Sequence, residues 1–335
     1  MLLHFTKMEG CGNDYIYING FTEQVPQEKK AELVRKLSRY HFGIGGDGVI
    51  FINPSDRADF EMEMYNRDGS RGKMCGNGIR CVGKYVYDHG MTEDRTNITV
   101  ESFGEVKKLE LFCRDGKMLT ARVNMGKPVL EASRIPVLPE QALWEKALSE
   151  ENDFHEGALP EGAGSAKTEN GEKAVIDAPI KVDGRIWYMT CVSMGNPHDV
   201  VFVEESDLKA RGLTDDEGRE IPDGDIRNLD LPAIGPLFEH HRCFPERTNT
   251  EFVQVIDRGH VNMRVWERGS GETLACGTGC CATAVACVLN GKTDRTVEVN
   301  LLGGVLQIEW DEKTDEIYMT GPAQTVFDGT VEISL

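Results

Sequence analysis

One stretch of this 335-residue chain occurs twice. Adding 201 to a position in the first copy gives its counterpart in the second: Met62 and Met263, Arg67 and Arg268, Cys75 and Cys276, Gly76 and Gly277, Gly78 and Gly279, Gly90 and Gly291. A match that runs this far without a gap points to duplication of a folding unit, so what one copy builds the other must build too. Beyond it, the segment from Ile98 to Val106 resembles Val297 to Val305 at an offset of 199, so two residues are missing from the second copy there. Each copy centres on a Cys-Gly-x-Gly turn at the head of a predicted helix, Gly76 to Tyr87 and Gly277 to Leu289, with strand-like segments on both sides. The prediction is two half-domains facing each other across a cleft, with a thiol on either wall. Such a cleft suits chemistry that needs a base on one side of a carbon and an acid on the other, and that carbon would be a stereocentre.

The rest of the chain fits an α+β frame. Leu2 to Met8, Asp14 to Asn19, Val49 to Asn53 and Phe60 to Tyr65 read as strands, and Pro26 to Tyr40 as a helix with proline in its first turn and Ala31, Leu33, Val34 and Leu37 at helical spacing. Asp115-Gly116 lies between two alternating runs, Val106 to Phe112 and Lys117 to Val123, which signals a hairpin; Asp183-Gly184 repeats it between Ala174 to Val182 and Arg185 to Ser193. The segment from Pro139 to Lys173 combines a short amphipathic helix with an acidic, Gly-rich stretch, and reads as an exposed insertion.

Charge excludes some partners. With 37 Lys and Arg against 56 Asp and Glu, the net charge of −19 repels nucleic acid and anionic membrane surfaces, leaving small molecules or further copies of the chain. Met1 to Asn13 lacks the apolar core of a signal peptide, and no apolar run is long enough to span a bilayer, so a cytoplasmic protein is expected. Ten cysteines in a chain of this kind are better read as reduced thiols than as a disulfide framework.

Cys75 and Cys276 stand out among the ten, each at the predicted N-terminus of a helix. Such an end carries roughly half a positive charge, which favours thiolate over thiol and offers donors to a carboxylate. Free cysteines are usually small buried fillers, and Cys11, Cys81, Cys113, Cys191, Cys243 and Cys287 are read that way. Cys280 and Cys281, with Cys276, form a C-x3-C-C run that is weak evidence for zinc without a second Cys/His cluster. Gly43-Ile44-Gly45-Gly46-Asp47-Gly48 lacks both dinucleotide and Walker spacing and is read as a structural turn.

Five motifs then resemble one family. Gly12-Asn13-Asp14, Met74-Cys75-Gly76-Asn77-Gly78, Ser193-Met194-Gly195-Asn196-Pro197-His198, Phe244-Pro245-Glu246-Arg247-Thr248-Asn249, and Glu267-Arg268-Gly269-Ser270-Gly271-Glu272-Thr273 running into Ala275-Cys276-Gly277-Thr278-Gly279 occur in the order found in diaminopimelate epimerases. The resemblance implies interconversion of LL- and meso-diaminopimelate without metal or cofactor, with Cys75 as donor and Cys276 as acceptor in the LL-to-meso direction. It further implies that the reacting carboxylate lies on the backbone N–H groups of Gly76, Asn77, Gly277 and Thr278, and that Glu267 pairs with the reacting amine. Asn13, Asn66, Asn196, Asn249 and Arg268 would hold the distal amino-acid head, and His198 and Glu267 would tune the thiols. Gly48 departs from the pattern, since some members carry Gln there. Proline racemases share the two cysteines but have His after the first Cys-Gly, and phenazine-type isomerases share the fold without the cysteine pair; Asn77 and Glu267-Arg268 favour the epimerase.

The resulting expectation is a pseudo-symmetric two-domain α+β protein, each half a curled, mostly antiparallel sheet around a central helix. The first half would comprise 1–125 plus 324–335 and the second 126–323, with the insertion near 139–173. The resemblance also implies a homodimer formed through the first half, with Phe327 at the interface.

Overall fold

The computed structural model describes residues 2–138, 166–167 and 171–333. The short amphipathic helix and most of the Gly-rich stretch expected between 139 and 173 lie outside the described residues. The chain divides into two compact units, one of Met1–Met125, Gly303–Leu306 and Tyr318–Leu335, the other of Gly126–Leu302 and Gln307–Ile317. Relative to the expected boundaries, Gly303–Leu306 and residues 318–323 move into the first unit. The reason is Arg80, fully buried in that unit, which donates to the Pro322 carbonyl and the Met319 sulfur, while Leu306 packs where a side chain at Gly321 would stand.

In the first unit the strands are β1 (Leu2–Gly10), β2 (Asn13–Asn19), β3 (Gly48–Asn53), β4 (Phe60–Asn66), β5 (Asn97–Ser102), β6 (Glu105–Arg114) and β7 (Lys117–Gly126), with helices α1 (Gln27–Leu37) and α2 (Gly76–Asp88). β1 and β2 are joined by a two-residue turn, Cys11-Gly12, with φ of 53° and 79°, the paired positive values that match strand twist in a hairpin. β2 pairs β3 in parallel, β3 pairs β4 antiparallel, and β4 pairs β5 in parallel. Leu3, Ile16, Ile18, Val49 and Phe51 bury against Leu33 and Val34 of α1. That helix is shorter than expected: Pro26 is its N-cap and Ser38 closes it.

The second unit repeats this frame. After a small ribbon of β8 (Ala166–Lys167) and β9 (Lys173–Ala174) come β10 (Ala178–Val182), β11 (Arg185–Ser193), β12 (Pro197–Phe202), β13 (Asn249–Val255), β14 (His260–Glu267), β15 (Gly271–Thr273) and β16 (Thr296–Leu301), with helices α3 (Leu231–Glu239) and α4 (Gly277–Leu289). β12 to β13 is parallel, β13 to β14 antiparallel, and β14 to β16 parallel, the order seen for β2 to β5. α4 begins and ends 201 residues after α2, and β16 lies 199 residues after β5, so the two-residue deletion falls between helix and strand as the sequence predicts. Both helices are buried around most of their circumference, as a central helix wrapped by a sheet must be. The chain returns through β17 (Gly304–Trp310), β18 (Ile317–Pro322) and β19 (Gln324–Glu332), the last pairing antiparallel with β1 in the first unit.

Two local expectations change. The strand predicted from Ala174 starts at Ala178, because Asp177 takes a φ of 47° and Ala174 pairs instead with Ala166. α3, absent from the sequence reading, forms despite two prolines: Pro232 sits in the first turn, where no N–H is needed, and Pro236 is the internal exception. Its Phe238 joins Phe252 and Trp187 in an edge-on aromatic cluster with ring centroids 5.2, 5.8 and 6.3 Å apart. Among the described residues no helix is long and apolar enough to cross a membrane.

Candidate functional site

In the first unit the chemistry gathers at the head of α2. Cys75 is its N-cap, extended at φ −130° and ψ 114°, and its Sγ accepts the Gly78 N–H at 3.2 Å. The ladder opens with Ile79 N–H on the Cys75 carbonyl at 2.9 Å. An α-helix makes no i-to-i−4 bond at the N–H groups of its first turn, and this turn opens with Gly76 and Asn77. A Cβ at Gly78 would stand 2.8 Å from the end of the Ile50 side chain, so the glycine leaves Ile50 its place against the turn. The Cys11-Gly12 turn sets Asn13 at the start of β2, where its Oδ1 accepts from Cys75 Sγ at 3.0 Å.

Asp47, dismissed with its Gly-rich loop as a structural turn, fixes that contact. Its carboxylate accepts Asn13 Nδ2 at 2.6 Å, which commits the amide nitrogen and leaves the oxygen for the thiol. Burial is the largest influence on Asp47 and, with the negative charge of Asp14, raises its pKa. Its sequence signal was that of a lone charge in a run of glycines. Asn66 sits at the end of β4 and donates to Ser70 Oγ at 3.0 Å, so its amide spans a local turn. Gly48 pairs with Asn66, and a Cβ there would lie 2.0 Å from the Tyr65 carbonyl oxygen. The local backbone therefore excludes any side chain at the position where some relatives carry Gln.

The second unit builds its half on the same backbone with different charges. Cys276 caps α4 at φ −123° and ψ 110°, and its Sγ accepts the Gly279 N–H at 3.3 Å. Asn196 donates to Thr278 Oγ1 at 3.3 Å, and that hydroxyl lies 3.5 Å from Cys276 Sγ. Glu267, at the end of β14, accepts from Thr273 at 2.5 Å. Asn249 is held at both ends, donating to the Pro197 carbonyl at 2.8 Å and accepting the Arg268 N–H at 2.9 Å. Arg268 itself donates to the Glu246 carbonyl at 3.0 Å. Glu239 of α3 steadies this turn by accepting from Trp266 at 2.8 Å and from Gly269 N–H at 2.9 Å.

His198 is fully buried, and its Nδ1 lies 2.7 Å from Oε1 of an equally buried Glu251. Glu251 is the residue beside this site that sequence reasoning did not single out; its signal was a carboxylate inside the strand run Glu251-Phe252-Val253. One ring nitrogen of His198, one Glu251 oxygen and Cys276 Sγ all lie within 4.8 Å of one another. Gly279 accommodates this packing, because a Cβ would stand 2.5 Å from Glu251 Oε1.

These neighbours overturn the expectation that the helix end leaves Cys276 a ready thiolate. Burial comes first, then the negative charges of Glu267 and Glu251, and together they push the thiol well above its ordinary pKa. The Thr278 and Gly279 hydrogen bonds oppose the rise without cancelling it. Cys280 and Cys281 are wholly buried inside α4.

The family model described as diaminopimelate epimerase matches residues 5–131 and 190–326. The chain is 50% identical over 327 residues to the diaminopimelate epimerase of Desulfovibrio desulfuricans, covering 98% of this chain and 97% of that one. It is 47% identical over 331 residues to the enzyme of the same name from Agathobacter rectalis, covering 99% and 100%. Among solved structures it resembles a phenazine biosynthesis protein of the PhzF family from Bacillus anthracis, at a TM-score of 0.60, 15% identity and coverage of 99% and 100%. It also resembles a hydroxyproline epimerase from Agrobacterium vitis, at a TM-score of 0.59, 13% identity and coverage of 98% and 91%. At those identities the likeness speaks for the fold, which is the two-domain α+β architecture described above. Two helices capped by cysteine in one geometry, five motifs in order and relatives matched from end to end together place this chain in the diaminopimelate epimerase family.

Proposed function

We propose that this protein converts LL-2,6-diaminopimelate to the meso form and back, in the biosynthesis of lysine and peptidoglycan precursors, using its own thiols as the two acid-base groups. The observation that carries the reading is the pair of N-capping cysteines, each with its sulfur on the N–H of the third helical residue. In the LL-to-meso direction a thiolate at Cys276 takes the α-proton and the thiol of Cys75 delivers one to the opposite face; the return reaction exchanges the roles. The α-proton is far less acidic than a thiol, and each pK unit of mismatch adds about 1.4 kcal/mol, so the carbanion-like transition state needs electrostatic support. The N–H groups of Gly76, Asn77, Gly277 and Thr278 supply it at the substrate carboxylate.

Glu267 pairs with the reacting amine, while Asn13, Asn66, Asn196, Asn249 and Arg268 receive the distal amino-acid head. The amides of Asn13 and Asn249 already hold protein partners, so they serve by orienting neighbouring donors as much as by direct contact. His198 acts on Cys276 through the Glu251 pair. We further infer a cytoplasmic enzyme and a homodimer formed through the first unit, where Phe327 is half-exposed and stacks edge-on against Phe5 at 5.9 Å.

The test is turnover of LL-diaminopimelate by the purified protein in heavy water. The meso product should carry deuterium at one α-carbon, and Cys75→Ala and Cys276→Ala should each abolish its formation with the fold intact by circular dichroism. Binding of diaminopimelate with no solvent deuterium in the product, or turnover surviving in either variant, would overturn the two-thiol scheme.

A further inference from the structure

The His198, Glu251 and Cys276 triangle has a property that proton transfer does not require. All three side chains are buried, and His198 Nε2 and Glu251 Oε2 have no hydrogen-bond partner among the described residues. Buried lone pairs left unmatched normally cost free energy, so two on adjacent side chains call for an explanation. The set of imidazole nitrogen, carboxylate oxygen and thiol sulfur is the one that borderline divalent metals prefer. The C-x3-C-C run of the sequence shares only Cys276 with this set; His198 and Glu251 come from strands β12 and β13.

We propose that His198, Glu251 and Cys276 form a site for a divalent cation of the zinc class, whose occupancy blocks the thiol. With bonds of about 2.3 Å to sulfur and about 2.0–2.1 Å to nitrogen and oxygen, the ligand atoms around tetrahedral zinc stand about 3.3–3.6 Å apart. The three atoms here already lie within 4.8 Å of one another, so side-chain adjustments alone close the set. Their scaffold is stiff, since His198 is in β12 and Glu251 in β13, neighbours in a parallel ladder, and Cys276 begins a buried helix. Electrostatics act in the same direction. The Glu251 carboxylate adds negative charge to the set, from which a cation gains. On binding, the metal forms a bond to sulfur and the S–H proton passes to solvent, with no change of oxidation state. Three protein ligands leave a fourth position for water, as in reversible rather than closed structural sites.

The inhibitory consequence rests on Cys276 being a proton carrier, whereas the binding does not, so the two are measured separately. Co2+ serves as the spectroscopic probe of binding, through its thiolate-to-metal absorption band, and Zn2+ as the probe of activity. One Co2+ per chain should bind with the band present in the parent and in C75S and lost in C276S. The H198N variant should bind about tenfold or more weakly. Zn2+ should inhibit the parent reversibly, with recovery on adding EDTA. Circular dichroism on each variant separates loss of a ligand from loss of the fold. The proposal is wrong if the band vanishes in C75S and persists in C276S, or if H198N binds Co2+ as tightly as the parent, since the metal would then be held without the imidazole. If no diaminopimelate turnover is found, the absorption measurement still reads the site.

Discussion

Replacing Glu251 with Gln removes one charge and little else. The amide oxygen still accepts from His198 Nδ1, and the side chain keeps its volume against Gly279. Deprotonating Cys276 creates a second negative charge within 4.8 Å of a Glu251 oxygen. At an effective dielectric of about 20, two unit charges at that separation repel by about 3.5 kcal/mol. At 1.36 kcal/mol per unit this corresponds to about 2.5 pK units, and sharing of the Glu251 charge with His198 brings the expected change to about 1–2 units. The sign is fixed: losing the carboxylate favours the thiolate, so the Cys276 pKa falls. Glu267, His198, Thr278 and the Gly279 N–H also face the sulfur and are unchanged by the substitution. The assay is the rate of Cys276 alkylation by iodoacetamide as a function of pH, read by mass spectrometry of the peptide carrying it. Its midpoint should move about 1 unit or more toward acid. A midpoint that stays put or rises, with the fold intact, would refute the claim that the Glu251 side chain raises the Cys276 pKa.

Two further outcomes concern the first unit. Burial alone would raise Glu63, but hydrogen bonds from Lys30, Gln27 and Asn53 and the Lys30 charge bring it down to about 2. Because the folded pKa is depressed, its contribution is present above about pH 4.3 and lost as pH falls through about 2, so Glu63→Gln should remove about 3 kcal/mol at neutral pH and flatten the acid limb of urea-unfolding midpoints. Gly48→Ala places a Cβ 2.0 Å from the Tyr65 carbonyl oxygen in a fully paired strand. It should destabilise by about 2–4 kcal/mol, seen as a lower melting temperature, and an unchanged melting temperature would mean the strand takes another path there.

What the sequence revealed and what it hid divide along physical lines. The two central helices, the deletion between helix and strand, and the Asp-Gly hairpins were legible because each depends on local spacing and on residues that tolerate positive φ. α3 was hidden by Pro232 and Pro236, whose propensity is outweighed by burial of Phe238 against Trp187 and Phe252. Glu251 was hidden because a buried carboxylate declares itself only through its partner, and His198 lies 53 residues away in the chain. The influences that oppose the helix end at Cys276 were hidden for a related cause. A helix end is a local feature visible in the sequence, whereas desolvation and two carboxylates belong to the folded surroundings.

The duplication sharpens this contrast, because it compares two environments on one backbone. The N-cap dihedrals at Cys75 and Cys276 agree within 10°, and the sulfur-to-N–H distances are 3.2 and 3.3 Å. Yet at the 201-residue offset Glu267 answers to Asn66, Glu251 to Ile50 and Cys281 to Arg80. The first thiol thus has a neutral amide and an apolar side chain at the positions where the second has carboxylates. A buried guanidinium in α2, one turn beyond the Cys75 cap and bonded to the Gly76 carbonyl at 3.1 Å, stands where α4 carries a thiol. The two sulfurs are placed alike on their helix ends, so what distinguishes them is the set of side chains around each. Divergence after duplication has therefore acted on electrostatics while leaving the two helix caps alone, the pattern expected if the caps serve one shared task and the thiols two opposite ones.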